Sequence, residues 1–254
     1  MKARSRSSST PTKRFRRDGA RKNATQWTKT AVLRELKALA DPKVRAKMEY
    51  FGVQVPNAHG ISVPVLHRFA KQIGRNHRLA QQLWTSGIHE AQILAALIGE
   101  SEKVTAAEMD RWARDFDSWD VVDGACCYLY AQAKPAWSKA AAWSWRREEF
   151  VKRASFSLVA YLSYKDKAAP DARFVRFLRV IEREAHDERN FVKKAVNWAL
   201  RNIGKRNRRL NREAIRAAER IRRQGSRAAG WIAADALREL KSGAVQRRLQ
   251  RKTA

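Results

Sequence analysis

The sequence predicts an all-α protein built as a stack of short helices, and three observations carry that prediction. Ala, Leu, Arg, Lys and Glu abound, while only 11 Gly and 6 Pro interrupt 254 residues, which is the composition of a helical chain. Apolar residues recur at three- and four-residue spacing in one short segment after another, with turn and capping residues between them. The third observation is an internal echo: Glu149-Phe150-Val151-Lys152-Arg153-Ala154 returns 41 residues later as Asn190-Phe191-Val192-Lys193-Lys194-Ala195.

Residues 1 to about 25 carry nine Lys and Arg against one Asp, and Phe15 is their only large apolar group. Such a segment buries too little surface to offset its ordering entropy, so a disordered basic arm is expected, able to touch phosphates through Lys13-Arg14-Phe15-Arg16-Arg17 or simply to solubilise. A helix follows from Trp27 to Leu39, through Val32, Leu33, Leu36 and Leu39. Asp41-Pro42 opens the next, ending near Tyr50 or Phe51. The stretch from Gly52 to Val63 contains Pro56, Asn57 and Gly60 and reads as a loop, after which Pro64 starts a helix through Val65, Phe69 and Ile73. Shorter helices are expected at about 76–84 and 89–99. Thr105-Ala106-Ala107-Glu108 has capping-box spacing and starts one that ends near Phe116. A helix over about 119–132 comes next, and Pro135 begins another that ends around Trp145.

The 41-residue period matches two-helix repeats of the HEAT type. Helix pairs of this kind cannot bury their apolar sides alone and stack into a solenoid with a concave inner surface. Residues 26–240 are assigned to this repeat domain. Past residue 200 there are 17 Lys and Arg against 4 acids, yet Leu210, Ile215, Ile221, Trp231, Ile232, Leu237 and Leu240 keep an apolar face. This region is therefore a basic helical cap, with a fraying basic tail over 241–254.

The net charge of +29 points to a polyanionic partner, nucleic acid first. No 18-residue apolar run, secretory segment or lipidation signal speaks for a membrane, so a cytoplasmic, nucleoid-associated protein is expected, acting as a monomer. Cys126 and Cys127 are adjacent and suggest neither a disulfide framework nor a spaced zinc site. His59, His67, His77, His89 and His186 show no ligand spacing, and no phosphate-cradling glycine loop occurs, so neither metal nor cofactor is expected.

Against this positive background, Ser118-Trp119-Asp120-Val121-Val122-Asp123 stands out. On a helix Trp119 and Asp123 share a face, which displays an indole and a carboxylate together. The plainer reading makes Ser118 a cap, Asp120 a complement to the helix start, and Trp119 ordinary core. Asp115 and Asp117 just upstream fit capping or dipole roles better than catalysis. In the second copy of the echo, Lys194, Asn197, Trp198 and Arg201 also fall on one face. With Arg153 they make sense as one surface, where cations hold a phosphate backbone and two tryptophans and a carboxylate meet what lies between.

These residues resemble the DNA alkylation repair family, the AlkD-type glycosylases of HEAT-like repeats. The resemblance rests on Trp119-Asp120-Val121-Val122-Asp123, Phe150-Val151-Lys152-Arg153-Ala154 and Phe191 through Arg201, with Gly60-Ile61-Ser62-Val63-Pro64 matching a turn common in the family. It covers about 43–205. It implies that Trp119 and Trp198 wall the lesion site, that Asp123 is the catalytic carboxylate, and that Arg153 clamps the DNA backbone. It also implies an aromatic from the N-terminal helices, which Tyr50 or Phe51 could supply. The segment Gly52 to His59 is longer than the family pattern, and the two basic ends depart from it. The function implied is a monofunctional, cofactor-free glycosylase that releases cationic alkylated purines, N7-alkylguanine and N3-alkyladenine, from double-stranded DNA. A cationic base is already a good leaving group, so the chemistry asks for a carboxylate beside the developing sugar cation rather than a strong acid. The competing reading is a non-catalytic HEAT-like protein that binds duplex or branched DNA, or RNA, by shape and charge. A salt bridge between Asp123 and Arg153 at a helix joint would favour that alternative.

Overall fold

A computed structural model describes residues 27–53 and 56–251; the basic arm expected over 1–25 lies outside them. The helices are α1 (Lys29–Ala38), α2 (Pro42–Tyr50), α3 (Val63–Ile73), α4 (His77–Trp84), α5 (His89–Ile98), α6 (Ala106–Ala113), α7 (Trp119–Gly124), α8 (Ala136–Trp143), α9 (Glu149–Lys165), α10 (Asp171–Glu184), α11 (Asn190–Gly204), α12 (Arg208–Arg222), α13 (Arg227–Leu240) and α14 (Gly243–Arg251). Among the described residues there is no strand, and no helix is long and apolar enough to cross a membrane. The capping signals work as their chemistry requires. Thr28, Asp41, Asn76, Thr105, Asn207 and Ser226 each accept a first-turn backbone N–H that has no intrahelical partner.

Two expectations are corrected. The helix foreseen over 119–132 is regular only to Gly124; a wider π turn at Ala125–Leu129 and a 3-10 turn at Tyr130–Gln132 complete it. A π turn leaves the local hydrogen-bond ladder out of step, and Lys165 of α9 donates to the Cys127 carbonyl there. The fraying expected from residue 241 does not apply to 243–251, because Val245 and Leu249 turn inward and hold α14 in place.

The odd-numbered helices α3, α5, α7, α9, α11 and α13 pack one against the next as an inner row. The even-numbered helices lie behind them, as in the pairings α4 with α5, α8 with α9 and α12 with α13. One apolar cluster runs through the whole stack from Val32 to Leu240. In the first half it is aromatic: Trp84 stacks on Trp112 at 4.0 Å, and Tyr130 and Trp143 continue the chain of rings. Such rings bury large areas, and their polar edges need partners. The indole N–H groups of Trp84 and Trp143 find them in Asp115 (2.8 Å) and Asp110 (2.9 Å) of neighbouring units.

Bonds between units recur along the molecule, and their sequence separation tracks repeat length. It is 31 residues for Trp84–Asp115 and His89–Asp120, and 38 for Asn197–Asp235 and Arg220–Glu182. Inner helices accordingly start 30 residues apart at Trp119 and Glu149, but 41 apart at Glu149 and Asn190. The echo visible in the sequence therefore marks the long units only.

α2 is set apart from this stack. No residue of α2 is buried, and the chain after it forms a small separate cluster in which Val53 and Ala58 pack with Met48 and Trp119. The returning loop is fixed from inside: the fully buried Glu90 carboxylate accepts the backbone N–H groups of His59, Gly60 and Ile61 at 2.7–3.1 Å. Gly60 is required there. Its φ is +80°, and a Cβ would lie 2.4 Å from the Asp41 carbonyl. Arg45 completes the tie by donating to the carbonyls of Ala58 and Pro56.

Candidate nucleic-acid cleft at the helix starts

The opening residues of α7, α9 and α11 converge on a cleft of about 370 Å³, lined by Phe51, Trp119, Asp123, Arg153, Phe191, Lys194 and Trp198. Local sequence explains how each wall is held. Ser118 occupies the N-cap position of α7 but its buried hydroxyl makes no capping bond. Asp120 anchors the helix instead, accepting the Val121 N–H with one oxygen and pairing with His89 at 2.9 Å through the other. Burial opposes charge on His89, but the hydrogen bond and negative charge of Asp120 outweigh it and raise the imidazole above its ordinary value. With α7 anchored, Trp119 leans across to the α2 loop and donates its indole N–H to the Phe51 carbonyl (3.2 Å). Trp198 is backed by Tyr161, edge to face at 4.9 Å, and Phe191 by Phe150 at 5.3 Å.

Asp123 lies at the floor, its side chain 16% exposed. Arg153 grips it with both arms of the guanidinium, Nε to Oδ1 at 3.2 Å and Nη2 to Oδ2 at 2.7 Å; the Ser157 hydroxyl donates to Oδ1 at 2.8 Å. The third guanidinium nitrogen, Nη1, donates to the Phe191 carbonyl at 2.9 Å. Burial pushes the Asp123 carboxyl above its ordinary value, while the Arg153 charge and the bonds from Arg153 and Ser157 limit the rise. All three donors suit an ionised acceptor. Oδ1 accepts two bonds and Oδ2 one, so Oδ2 retains acceptor capacity beyond its bond to Arg153.

The cleft thus gathers Trp119, Asp123, Arg153, Lys194 and Trp198, and of the two aromatic alternatives Phe51 lines it. Tyr50 points to solvent, 84% exposed. Three expected DNA contacts need correction. Arg153 is buried, and its three nitrogens are committed to Asp123 and Phe191, so it joins α7, α9 and α11 rather than presenting itself to a phosphate. Asn197 is 1% exposed and donates to Asp235 of the next unit at 2.7 Å. Arg201 pairs with Glu239 at 2.6 Å and Asp235 at 3.5 Å. Both side chains turn toward α13. Lys194 remains an exposed cation on the cleft wall.

Sequence reasoning missed Phe191 and Ser157 as parts of the site. Phe191 was discoverable, since Phe191, Lys194 and Trp198 follow the three-and-four spacing of one helix face. Ser157 gives no such signal until the distance to Asp123 is seen.

A family model described as DNA alkylation repair enzyme matches residues 32–240 of this sequence. The chain belongs to the DNA alkylation repair family. Its architecture is that of HEAT-like repeats: a solved structure of a new family related to the HEAT-like repeat DNA glycosylases, with affinity for branched DNA structures, superposes with a TM-score of 0.70 at 20% identity. The match covers 84% of this chain and 95% of the other. No curated protein matches the sequence. Within this family member, a larger cleft of about 750 Å³ lies where α9, α11 and α14 meet, lined by Tyr164, Lys167, Asn202, Arg248 and neighbours without a carboxylate. Among the described residues no group of three or more His, Cys, Asp or Glu side chains is placed to hold a metal ion.

Proposed function

We propose that this protein is a monofunctional DNA glycosylase that hydrolyses the N-glycosidic bond of cationic alkylated purines, N7-alkylguanine and N3-alkyladenine, in double-stranded DNA. The observation that carries the reading is the lone carboxylate of Asp123 on the floor of a cleft walled by Phe51, Trp119, Phe191 and Trp198. Aromatic faces attract both a cationic base and a cationic sugar, at about 0.5–2 kcal/mol per contact. An uncharged base gains less, which is a basis for choosing the lesion. As the bond to the base breaks, positive charge builds on the sugar, and the remaining acceptor capacity of Asp123 Oδ2 stabilises it and orients water for attack. Arg153 and Ser157 act on Asp123: their bonds fix its orientation before DNA arrives, so little reorganisation accompanies the reaction. Lys194 meets a backbone phosphate at the cleft wall.

The second reading, a non-catalytic protein that binds duplex or branched DNA by shape and charge, is favoured by one observation. Arg153 neutralises Asp123, as a structural joint between helices would. The similar protein with affinity for branched DNA structures points the same way. Methylated duplex DNA separates the two. Glycosylase chemistry predicts release of methylated purine by the wild type, a loss on the order of 10²–10³ in the Asp123→Asn variant, the scale of one electrostatic group at a reacting centre, and nearly unchanged DNA affinity. DNA binding by wild type with no base release would establish the second reading.

A further inference from the structure

The last four inner helices can be aligned at their first residues. The fifth residue of α7 is Asp123, of α9 Arg153, of α11 Lys194 and of α13 Trp231. The first three line the cleft. The fourth, one repeat further along the same row, is an indole with 43% of its surface exposed. The helix wheel alone does not explain this residue: α13 buries Ala228, Ala229, Ile232, Ala233, Ala236, Leu237 and Leu240, and Trp231 takes no part in that face.

Its surroundings are those of a platform. Lys193 of α11 places its ammonium 5.6 Å from the ring centroid. Gly230 precedes the indole inside the helix, where glycine costs about 1 kcal/mol relative to alanine. Nothing in the packing demands it, since a Cβ there would meet no atom within 4 Å. One turn on, Ala234 is also exposed and small. Small residues therefore flank the indole on its own helix. Glu188 is occupied by the start of α13, accepting the Ala228 N–H at 2.8 Å, so its carboxylate is not aimed at the ring.

We propose that Trp231 is a stacking platform for an unpaired nucleobase, extending the cleft by one repeat. This rests on the DNA-binding part of the function proposed above. A flat, exposed indole has a partner in any base released from its pair, whatever its identity, and a base stacked there brings its own phosphate within reach of Lys193. A continuous duplex offers no free base face, whereas a flap, gap or branch does. The consequence is a preference for DNA whose strands part near the cleft.

The test compares full-length wild type, Trp231→Ala and Trp231→Phe, each confirmed folded by circular dichroism. Affinity is titrated for a continuous duplex and for the same duplex carrying a single-stranded flap, at one salt concentration. The wild type is expected to bind the flapped DNA more tightly. Trp231→Ala should lose between about 5-fold and about 150-fold on it, the range implied by roughly 1–3 kcal/mol per stacked base, with less than about 2-fold change on the duplex. Trp231→Phe should retain most of the binding, because it keeps a ring. The inference is overturned by equal losses on both substrates, by no loss on either, or by a phenylalanine variant as weak as the alanine one. Unchanged DNA affinity in Trp231→Ala together with lost self-association would assign the indole to a protein interface. A wild type that binds no DNA would sink the proposed function as well; a wild type that binds duplex normally, with Trp231→Ala indistinguishable from it, sinks this inference alone.

Discussion

Replacing Arg153 by Met removes the guanidinium while keeping much of its apolar volume. The Asp123 carboxylate is then left largely buried, with Ser157 its one remaining donor, and the Phe191 carbonyl loses its bond as well. Stripping one partner from a buried ion pair costs about 3–5 kcal/mol, because the other charge stays desolvated. For a domain of this size that lowers the midpoint of thermal unfolding by about 6–20 °C. Asp123→Asn/Arg153→Met should recover part of the loss, with a coupling energy of about 1–3 kcal/mol between the two sites. The pH dependence gives a second, independent check. The Asp123 carboxyl already sits above its ordinary value of 3.8 in the folded protein, and losing Arg153 raises it further. A carboxyl raised on folding contributes stability that is complete below its ordinary value and lost as pH rises through the folded value. Arg153→Met should therefore close part of its gap to wild type as pH falls toward the ordinary carboxyl value of 3.8. The measurement is chemical denaturation of wild type, Asp123→Asn, Arg153→Met and the double variant over a descending pH series. Additive effects in the double variant, or a gap that does not narrow on acidification, would refute the view that Arg153 compensates a buried charge.

Three further outcomes are expected. Glu90→Gln removes the charge on which the backbone N–H groups of His59, Gly60 and Ile61 converge and puts an amide donor where Oε2 accepts the His59 N–H; it should cost about 1.5–3 kcal/mol and speed hydrogen exchange at residues 59–61, which thermal unfolding and exchange mass spectrometry would read. Lys194→Ala should lower the salt slope of duplex binding by about 0.9, whereas an unchanged slope would deny it a phosphate contact. His89, raised above 6.5 by Asp120, contributes stability that is present below 6.5 and lost as pH rises through its folded value. His89→Gln should flatten that fall, and denaturation at closely spaced values above about pH 6.5 would show it.

The helical architecture was legible because it depends on local chemistry. Thr105 and Asp41-Pro42 mark helix starts in any context, and apolar spacing shows which face turns inward. The long repeat announced itself through Phe150 and Phe191. The shorter units before it did not, because their likeness lies in polar bonds such as His89–Asp120 rather than in a shared string of residues. Within the site, Trp119, Asp123, Lys194 and Trp198 could be grouped by helical face and family likeness. Asn197 and Arg201 could not be placed, because a helix in a stack has two flanks, one toward the cleft and one toward the next unit. Sequence spacing does not distinguish them; Asp235 and Glu239, 38 residues away, do. Arg153 was found but misread for the same reason, its partner Asp123 lying 30 residues earlier on another helix.

The change of repeat length falls at the cleft itself: Trp119 and Asp123 belong to a unit of 30 residues, Phe191, Lys194 and Trp198 to one that starts 41 residues after the last. A solenoid joined only through neighbouring units behaves as a spring, flexing by small rotations at each joint while every local core stays intact. From Trp119 on α7 to Trp198 on α11 the cleft crosses two such joints, so its width depends on both. The Asp123–Arg153–Phe191 linkage spans three inner helices at this seam and works as a stiffener. Under the proposed function, its strength sets how far the walls part when DNA enters between them.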